Sequence, residues 1–252
     1  MTNVHPEQIA TGSTVDADEV AFFAGIADSW WDPKGPFKPL HQLNPTRLAY
    51  IRQEVCRHFD LKDTLRPYET LRFLDIGCGG GLLSEPLKRL GADLVSVDAS
   101  EKNIKVASLH AEQSGLDIDY RNTTAEALAD AGETFDVIVN MEVIEHVADV
   151  SAYLEACRKL LKPGGIMLLS TINRTSKAYL FAIIGAEVIL RWLPRGAHDW
   201  NKFLTPKELS DALEAASFTP SAPTGFSFNP LGGRWSLSDR DVAVNYAMSA
   251  AG

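Results

Sequence analysis

Cysteine is scarce in this sequence. Cys56, Cys78 and Cys157 are the three in 252 residues. The count is odd and no two are spaced like a zinc knuckle or a redox pair, which excludes a disulfide-stapled scaffold and fits a reducing compartment. Cations are short as well. Lys and Arg number 24 against 33 Asp and Glu, a net charge of −9, so the chain as a whole lacks the positive charge from which nucleic-acid binders draw affinity. Apolar runs are short. The stretch 178–186 is followed by Glu187 and is far from the ~20 apolar residues that a membrane-spanning helix needs. The N-terminus is polar, with no basic stretch leading into an apolar one, so no secretory signal is expected. Residues 1–15 read as a flexible tail. Internal repeats, low-complexity segments and a linker between domains are all missing.

What remains is an ordinary globular balance, 45% hydrophobic and 23% charged, which excludes disordered, collagen-like and coiled-coil chains. Residues 16–31 have helical periodicity, with Val20, Phe23, Ala24 and Ala27 at three- and four-residue steps and acids at the start. A second helix is expected over 48–59, with Pro45 near its start. From residue 71 the texture changes. Short, continuously apolar strands are expected at 71–76, 94–97, 135–140 and 166–171, separated by helices at 82–90, 101–113 and 150–161. That alternation predicts an α/β fold, a doubly wound, mostly parallel Rossmann-like sheet with helices on both faces. The expected organisation is one domain over 16–252: an N-terminal helical cap (16–69), a core (70–172), an apolar insertion carrying a helix after the fifth strand (173–204), and a C-terminal helix with strands (205–252).

The chemistry-bearing residues cluster at the expected strand ends. Asp75-Ile76-Gly77-Cys78-Gly79-Gly80-Gly81 lies between a strand and a helix, where glycines allow a tight turn and a close approach of backbone to ligand. A dinucleotide fingerprint begun at Gly77 needs its third glycine at position 82, which is Leu82. That departure argues against a nicotinamide oxidoreductase. The next strand ends in Asp98, an acid able to accept hydrogen bonds from both hydroxyls of a ribose. Cys78 sits inside the loop with no neighbour to activate a thiolate, and reads as a small residue tolerated there rather than a nucleophile.

The pattern D-x-G-x-G-x-G from Asp75 to Gly81, with Asp98 after the next strand, resembles the class I S-adenosylmethionine-dependent methyltransferases. The run from Phe135 through Met141-Glu142-Val143-Ile144-Glu145-His146 and the turn Lys162-Pro163-Gly164-Gly165 match that family too. The flanks are more specific. Trp30-Trp31-Asp32, then Asn44-Pro45-Thr46-Arg47, Thr171-Ile172-Asn173-Arg174, Gly185-Ala186-Glu187 and His198-Asp199-Trp200, in this order, resemble the ubiquinone-biosynthesis O-methyltransferases. In that family the stretch 241–246 fits the last strand. The resemblance implies S-adenosylmethionine as cofactor, with Gly77 and Gly79 along its methionyl part, Asp75 and Asp98 in the same site and Met141 near the adenine or methionyl end. It places Arg47 on the carboxylate, which a guanidinium grips with two parallel hydrogen bonds. It implies methyl transfer to a phenolic hydroxyl of a polyprenylated phenol or catechol, at two steps of the pathway. A different small-molecule methyltransferase and a non-catalytic membrane-associated scaffold are the alternatives.

Methyl transfer from a sulfonium is an in-line displacement in which positioning contributes most. A phenol with a reference pKa near ~10 is protonated at neutral pH, so a base or a cation helps. Glu142, Glu145 and His146 would share a face if helical. Two carboxylates and an imidazole can then hold a divalent metal such as Mg2+ against a catechol; His146 alone can be the base, with Glu145 beside it; or the segment only shapes the cofactor pocket. His41 is a further candidate base, or a hydrogen-bonded structural histidine. Finally, residues 174–202 carry a local charge of +3 on this acidic chain. Apolar bulk with cationic flanks suits a helix lying in an anionic membrane surface, a lid over a greasy substrate, or a core helix. A cytoplasmic protein held peripherally at the inner face of the membrane is expected, in reach of other ubiquinone-biosynthesis enzymes.

Overall fold

The structure, a computed structural model, describes residues 14–62, 64–178, 200–229 and 232–252. The chain begins with α1 (Ala17–Gly25), a 3-10 turn (Ala27–Ser29) and α2 (Lys38–His58). Two expectations are corrected here. The first helix stops at Gly25 rather than running to residue 31. The second starts ten residues before residue 48 and carries Pro45 inside it. An interior proline costs about 3 kcal/mol, but Pro39 opens the helix in its first turn and Leu43, Tyr50, Ile51 and Val55 bury one face. Tertiary packing outweighs the local penalty.

Then come β1 (Arg72–Ile76), α3 (Ser84–Arg89), β2 (Asp93–Asp98), α4 (Glu101–Gln113), β3 (Asp119–Asn122), α5 (Ala125–Asp130), β4 (Phe135–Met141), a 3-10 turn (Ile144–His146), α6 (Val150–Leu160) and β5 (Leu161–Ile172). Three of these helices start at side-chain caps, Ser100 for α4, Thr124 for α5 and Asp149 for α6, each accepting from a backbone N–H of the first turn. Neither β3 nor α5 is among the elements expected from the sequence. β3 reads Asp-Tyr-Arg-Asn and lies at the sheet edge, where one side needs no cover. β5 runs through the Pro163-Gly164-Gly165 turn instead of starting after it, at the cost of a register shift opposite Phe135 and Val137.

After β5 a single turn, α7 (Ser176–Ala178), precedes residues 179–199, so the expected apolar helix lies outside the described residues. The chain is next described at a 3-10 turn (Trp200–Lys202), then α8 (Pro206–Ala215), β6 (Thr219–Pro220), β7 (Thr224–Asn229), β8 (Arg234–Ser238) and β9 (Asn245–Ala251). The last strand therefore begins where 241–246 was expected to end. No helix among the described residues is long and apolar enough to cross a membrane.

Among the described residues nine strands form one sheet in the order β3-β2-β1-β4-β5-β9-β7-β8, with β6 beside β9. The first five are mutually parallel, and β9 runs antiparallel to β5. Successive strand residues feed opposite cores: Leu74, Ile138, Met167 and Leu169 pack toward α6 and α8, while Phe73, Val137, Val139 and Leu168 pack toward α2 and α3. Strand order reverses between β1 and β4. In an open α/β sheet the crevice beyond the carboxyl ends of such strands is where a ligand fits. Leu168 is fully buried in the middle of β5. Leu168→Ala is expected to lower stability by about 2–5 kcal/mol, read by urea unfolding at constant m.

Candidate functional site

A cavity of about 270 Å3 opens at that crevice. Arg47 reaches it from α2, Asp75, Gly77 and Gly79 from the end of β1 and its loop, and Asp98 from the end of β2. Met141, Glu142, Glu145 and His146 reach it from the end of β4. All nine site residues read from the sequence thus line one cavity. His41 does not. Its Nε2 lies 2.9 Å from the Trp30 carbonyl oxygen, a structural hydrogen bond.

Gly77, Gly79 and Gly81 have φ of +69°, +54° and +86°, the left-handed region that disfavours a Cβ. The atoms that crowd these positions belong to the protein itself. A Cβ at Gly77 would overlap Val143, one at Gly79 or Gly80 would overlap the Trp30 ring, and one at Gly81 would overlap the Tyr120 hydroxyl. The loop is bare so that the cap can pack onto it, a reason that adds to close approach by a ligand. Trp30 stacks on Phe37 with ring centroids 3.6 Å apart, and Trp31 Nε1 donates to the Gly80 carbonyl at 2.8 Å. The cap is also sewn to the far side of the cavity. Val15 bridges to Val147, Ala148 N donates to Thr14 O at 2.7 Å, and Lys202 Nζ meets Asp16 at 2.9 Å. The last two residues of the expected tail are therefore tied down. Val15, Val20 and Phe23 form an apolar wall, with Phe23 edge-on to the His146 ring at 5.4 Å.

Asp98 is held by three donors: Ser100 N at 2.8 Å and Asn103 Nδ2 at 3.1 Å on Oδ1, and Gly79 N at 2.9 Å on Oδ2. A carboxylate offers about four acceptor positions, so the protein leaves one, on Oδ2. Arg47 is 5% exposed, and its Nε has no hydrogen-bond partner. Burial lowers its pKa, while the fields of Glu142 and Asp75 oppose that shift. A buried guanidinium with an open N–H is a receptor for an anion. Asp75, 2% exposed, accepts from Ser84 Oγ at 2.6 Å; burial pushes its pKa up to about 7 against the pull of Ser84 and Arg47. Burial holds the Cys78 thiol well above its usual range, which disfavours the thiolate.

The helical face expected for Glu142, Glu145 and His146 does not form. Glu142 takes φ +59° as the chain leaves β4, and a 3-10 turn follows. Glu142 Oε1 accepts from Ser170 Oγ at 2.8 Å, and Glu145 Oε2 from Thr171 Oγ1 at 2.9 Å. Each carboxylate is thus anchored to β5. Among the described residues no three His, Cys, Asp or Glu side chains come together in a way that could hold a metal ion. The described geometry thus gives no support to the metal set of Glu142, Glu145 and His146. Glu145 remains notable: it is 3% exposed, its Oε1 has no partner, and burial raises its pKa. Sequence reasoning missed Phe23, Asn103 and the roles of Val15 and Trp30. The one available signal was the Trp30-Trp31 pair, two large side chains just ahead of a Pro- and Gly-containing loop.

The profile of the family described as "Methyltransferase domain" matches residues 46–221. The chain is 60% identical over 239 residues to the "Ubiquinone biosynthesis O-methyltransferase" of Ruegeria pomeroyi, covering 94% of this chain and 96% of that one. It is also 60% identical over 238 residues to the protein of the same name from Parvibaculum lavamentivorans, covering 94% of each. Among solved structures, magnesium protoporphyrin IX methyltransferase from Synechocystis with bound SAH superposes with a TM-score of 0.59 over 84% of this chain and 82% of that one, at 18% identity, a likeness of fold.

The buried Asp75 carboxyl gives a stability signature. Its folded pKa of about 7 lies above the unfolded value of ~4, so the folded state holds the proton more tightly. That contribution is fully present below the unfolded pKa and is lost as pH rises from ~4 through about 7. Asp75→Asn removes the titration. Relative to wild type, the variant is expected to gain stability steadily over that window and to level off above it, measured by urea unfolding at several pH values. A difference that does not change with pH would refute the assignment.

Proposed function

The chain belongs to the ubiquinone biosynthesis O-methyltransferases, and we propose that its cavity receives S-adenosylmethionine together with a polyprenylated phenol or catechol whose hydroxyl is methylated. The activity of this family, S-adenosylmethionine-dependent O-methylation in ubiquinone biosynthesis, is the activity of this chain. One observation carries the reading of the site. A buried guanidinium with an open N–H and an acid with one free acceptor position line the same largely apolar cavity. Those are complements to the carboxylate and the ribose of an amino-acid nucleoside.

When bound, the cofactor supplies an electrophilic methyl group on a sulfonium. The chain does the rest. Arg47 takes the carboxylate end, Asp98 takes a ribose hydroxyl through Oδ2, and Met141 and the loop of Gly77 and Gly79 border the methionyl portion. Val15, Val20 and Phe23 exclude water from the ring of the acceptor and hold it against His146. The acceptor hydroxyl must lose a proton as its oxygen gains the methyl. His146 takes that proton, and Glu145, with an unpartnered oxygen and a pKa raised by burial, balances the imidazolium. Base catalysis of this kind contributes about 10²–10⁴-fold. A methyl-transfer assay on a short-tailed demethylubiquinol tests the reading. Asp98→Ala is expected to weaken cofactor binding by about 1–3 kcal/mol. His146→Ala and Glu145→Gln are expected to lower kcat by at least about tenfold while leaving cofactor affinity within about threefold, since they act on the proton and not on the nucleoside. Unchanged kcat in both would remove the proton-transfer roles.

Residues 174–202 extend the proposal to a membrane surface. Their apolar stretch and +3 charge suit docking on an anionic bilayer at the cytoplasmic face, where a polyprenyl tail resides. Wild-type enzyme is expected to co-sediment with anionic liposomes more than with neutral ones, and less as salt rises. Replacing Phe181, Ile184 and Leu190 by Ser is expected to abolish pelleting and spare activity on the short-tailed acceptor. Equal, weak pelleting of both proteins would refute membrane docking.

A further inference from the structure

Trp30 lies in the cap, 73 residues before Asn103, yet its Nε1–H donates to Asn103 Oδ1 at 3.0 Å. Both side chains are buried, Asn103 at 3% exposure. Asn103 in turn donates its Nδ2–H to Asp98 Oδ1. A carboxamide has one accepting end and one donating end. With an indole N–H on its oxygen, Asn103 has only its donor end to offer Asp98. Turned over, it would set an oxygen against a buried carboxylate. The other two donors on Asp98 are backbone N–H groups of Gly79 and Ser100, fixed by the loop and by the start of α4. Asn103 is therefore the adjustable member of the set. Trp30 is itself clamped, stacked on Phe37 and filling the space over Gly79 and Gly80.

We propose that Trp30 is a positioning residue for the nucleoside of the cofactor: through Asn103 it fixes Oδ1 of Asp98 and reserves Oδ2 for one ribose hydroxyl. This rests on the reading of Asp98 as the ribose acceptor. It also makes the cap respond to the cofactor. The segment that carries Trp30 begins with the wall of Val15, Val20 and Phe23 beside His146. Coupling between two sites is reciprocal, so cofactor binding at Asp98 and assembly of the acceptor wall favour each other.

The test is calorimetric titration of the full chain with S-adenosylhomocysteine, for wild type, Trp30→Phe, Asn103→Ala, Asp98→Ala and the double variants with Asp98→Ala. A phenyl ring keeps the packing on Phe37 and lacks the N–H. Trp30→Phe is expected to raise Kd about five- to fiftyfold, the scale of one misdirected buried hydrogen bond. The KM for S-adenosylmethionine should rise in step, with the loss falling there and not on kcat. In the Asp98→Ala background the same change should add less than about twofold, because both act on one hydrogen-bond chain. Asn103→Ala should follow the same pattern and serves if Trp30→Phe does not fold. If Asp98→Ala weakens binding while Trp30→Phe and Asn103→Ala do not, the positioning role is wrong and the ribose reading stands. If Asp98→Ala binds like wild type, both fall. An equal loss in the two backgrounds would make Trp30 a packing residue only, and tighter binding by Trp30→Phe would make Asn103 a competitor of the ribose; either result overturns the proposal.

Discussion

The contact of Trp30 with the bare backbone of Gly79 and Gly80 is what the rest of the site depends on. The parallel sheet supplies an open crevice where strand order reverses between β1 and β4. A crevice alone is wet and shallow. It becomes a cavity because the cap lies across it, and the cap can lie there because the loop has no Cβ atoms in the way. Three consecutive devices hold it: the indole on the glycines, the Trp31 N–H on the Gly80 carbonyl, and the bridge from Val15 to Val147 on the opposite rim. The apolar wall beside His146 comes with that packing.

Closure sets the electrostatics. Burial shifts Asp75, Asp98 and Glu145 upward and Arg47 downward, each toward its neutral form. A site that destabilises charges of both signs is poised for a ligand that carries both. In the proposed reading the cofactor brings a carboxylate to Arg47 and positive charge, on its ammonium and sulfonium, to the field of the carboxyls. Each ligand charge would return its partner toward the ionised form.

The sequence made the core legible because its signals are local. A short apolar strand running into glycines, an acid one strand later and a 13-residue amphipathic helix are each readable within a window, and α4 matches its expected bounds residue for residue. What failed was set by distant partners. β3 has polar residues because it is an edge. α2 tolerates Pro45 because its apolar face is buried. Glu142, Glu145 and His146 have the spacing of a helical face, yet Glu142 turns left-handed and each carboxylate is drawn to a hydroxyl on β5. Asn103 was invisible as a site residue because its meaning comes from Trp30, 73 positions away.

A solved structure at 18% identity shares the fold, while a relative at 60% matches over 94% of this chain. In the proposed reading the glycine loop and Asp98 hold the nucleoside and leave the acceptor open. On the same proposed reading the acceptor meets Val15, Val20, Phe23 and His146, which line the cavity from the cap and from the turn after β4. The cap is fastened to the cofactor loop by Trp30 and Trp31, and to the segment after residues 179–199 by the Asp16–Lys202 pair. A substitution in the cap therefore acts on two ligands at once. On the proposed coupling it changes both the shape offered to the acceptor and the grip on Asp98, so acceptor preference and cofactor affinity vary together.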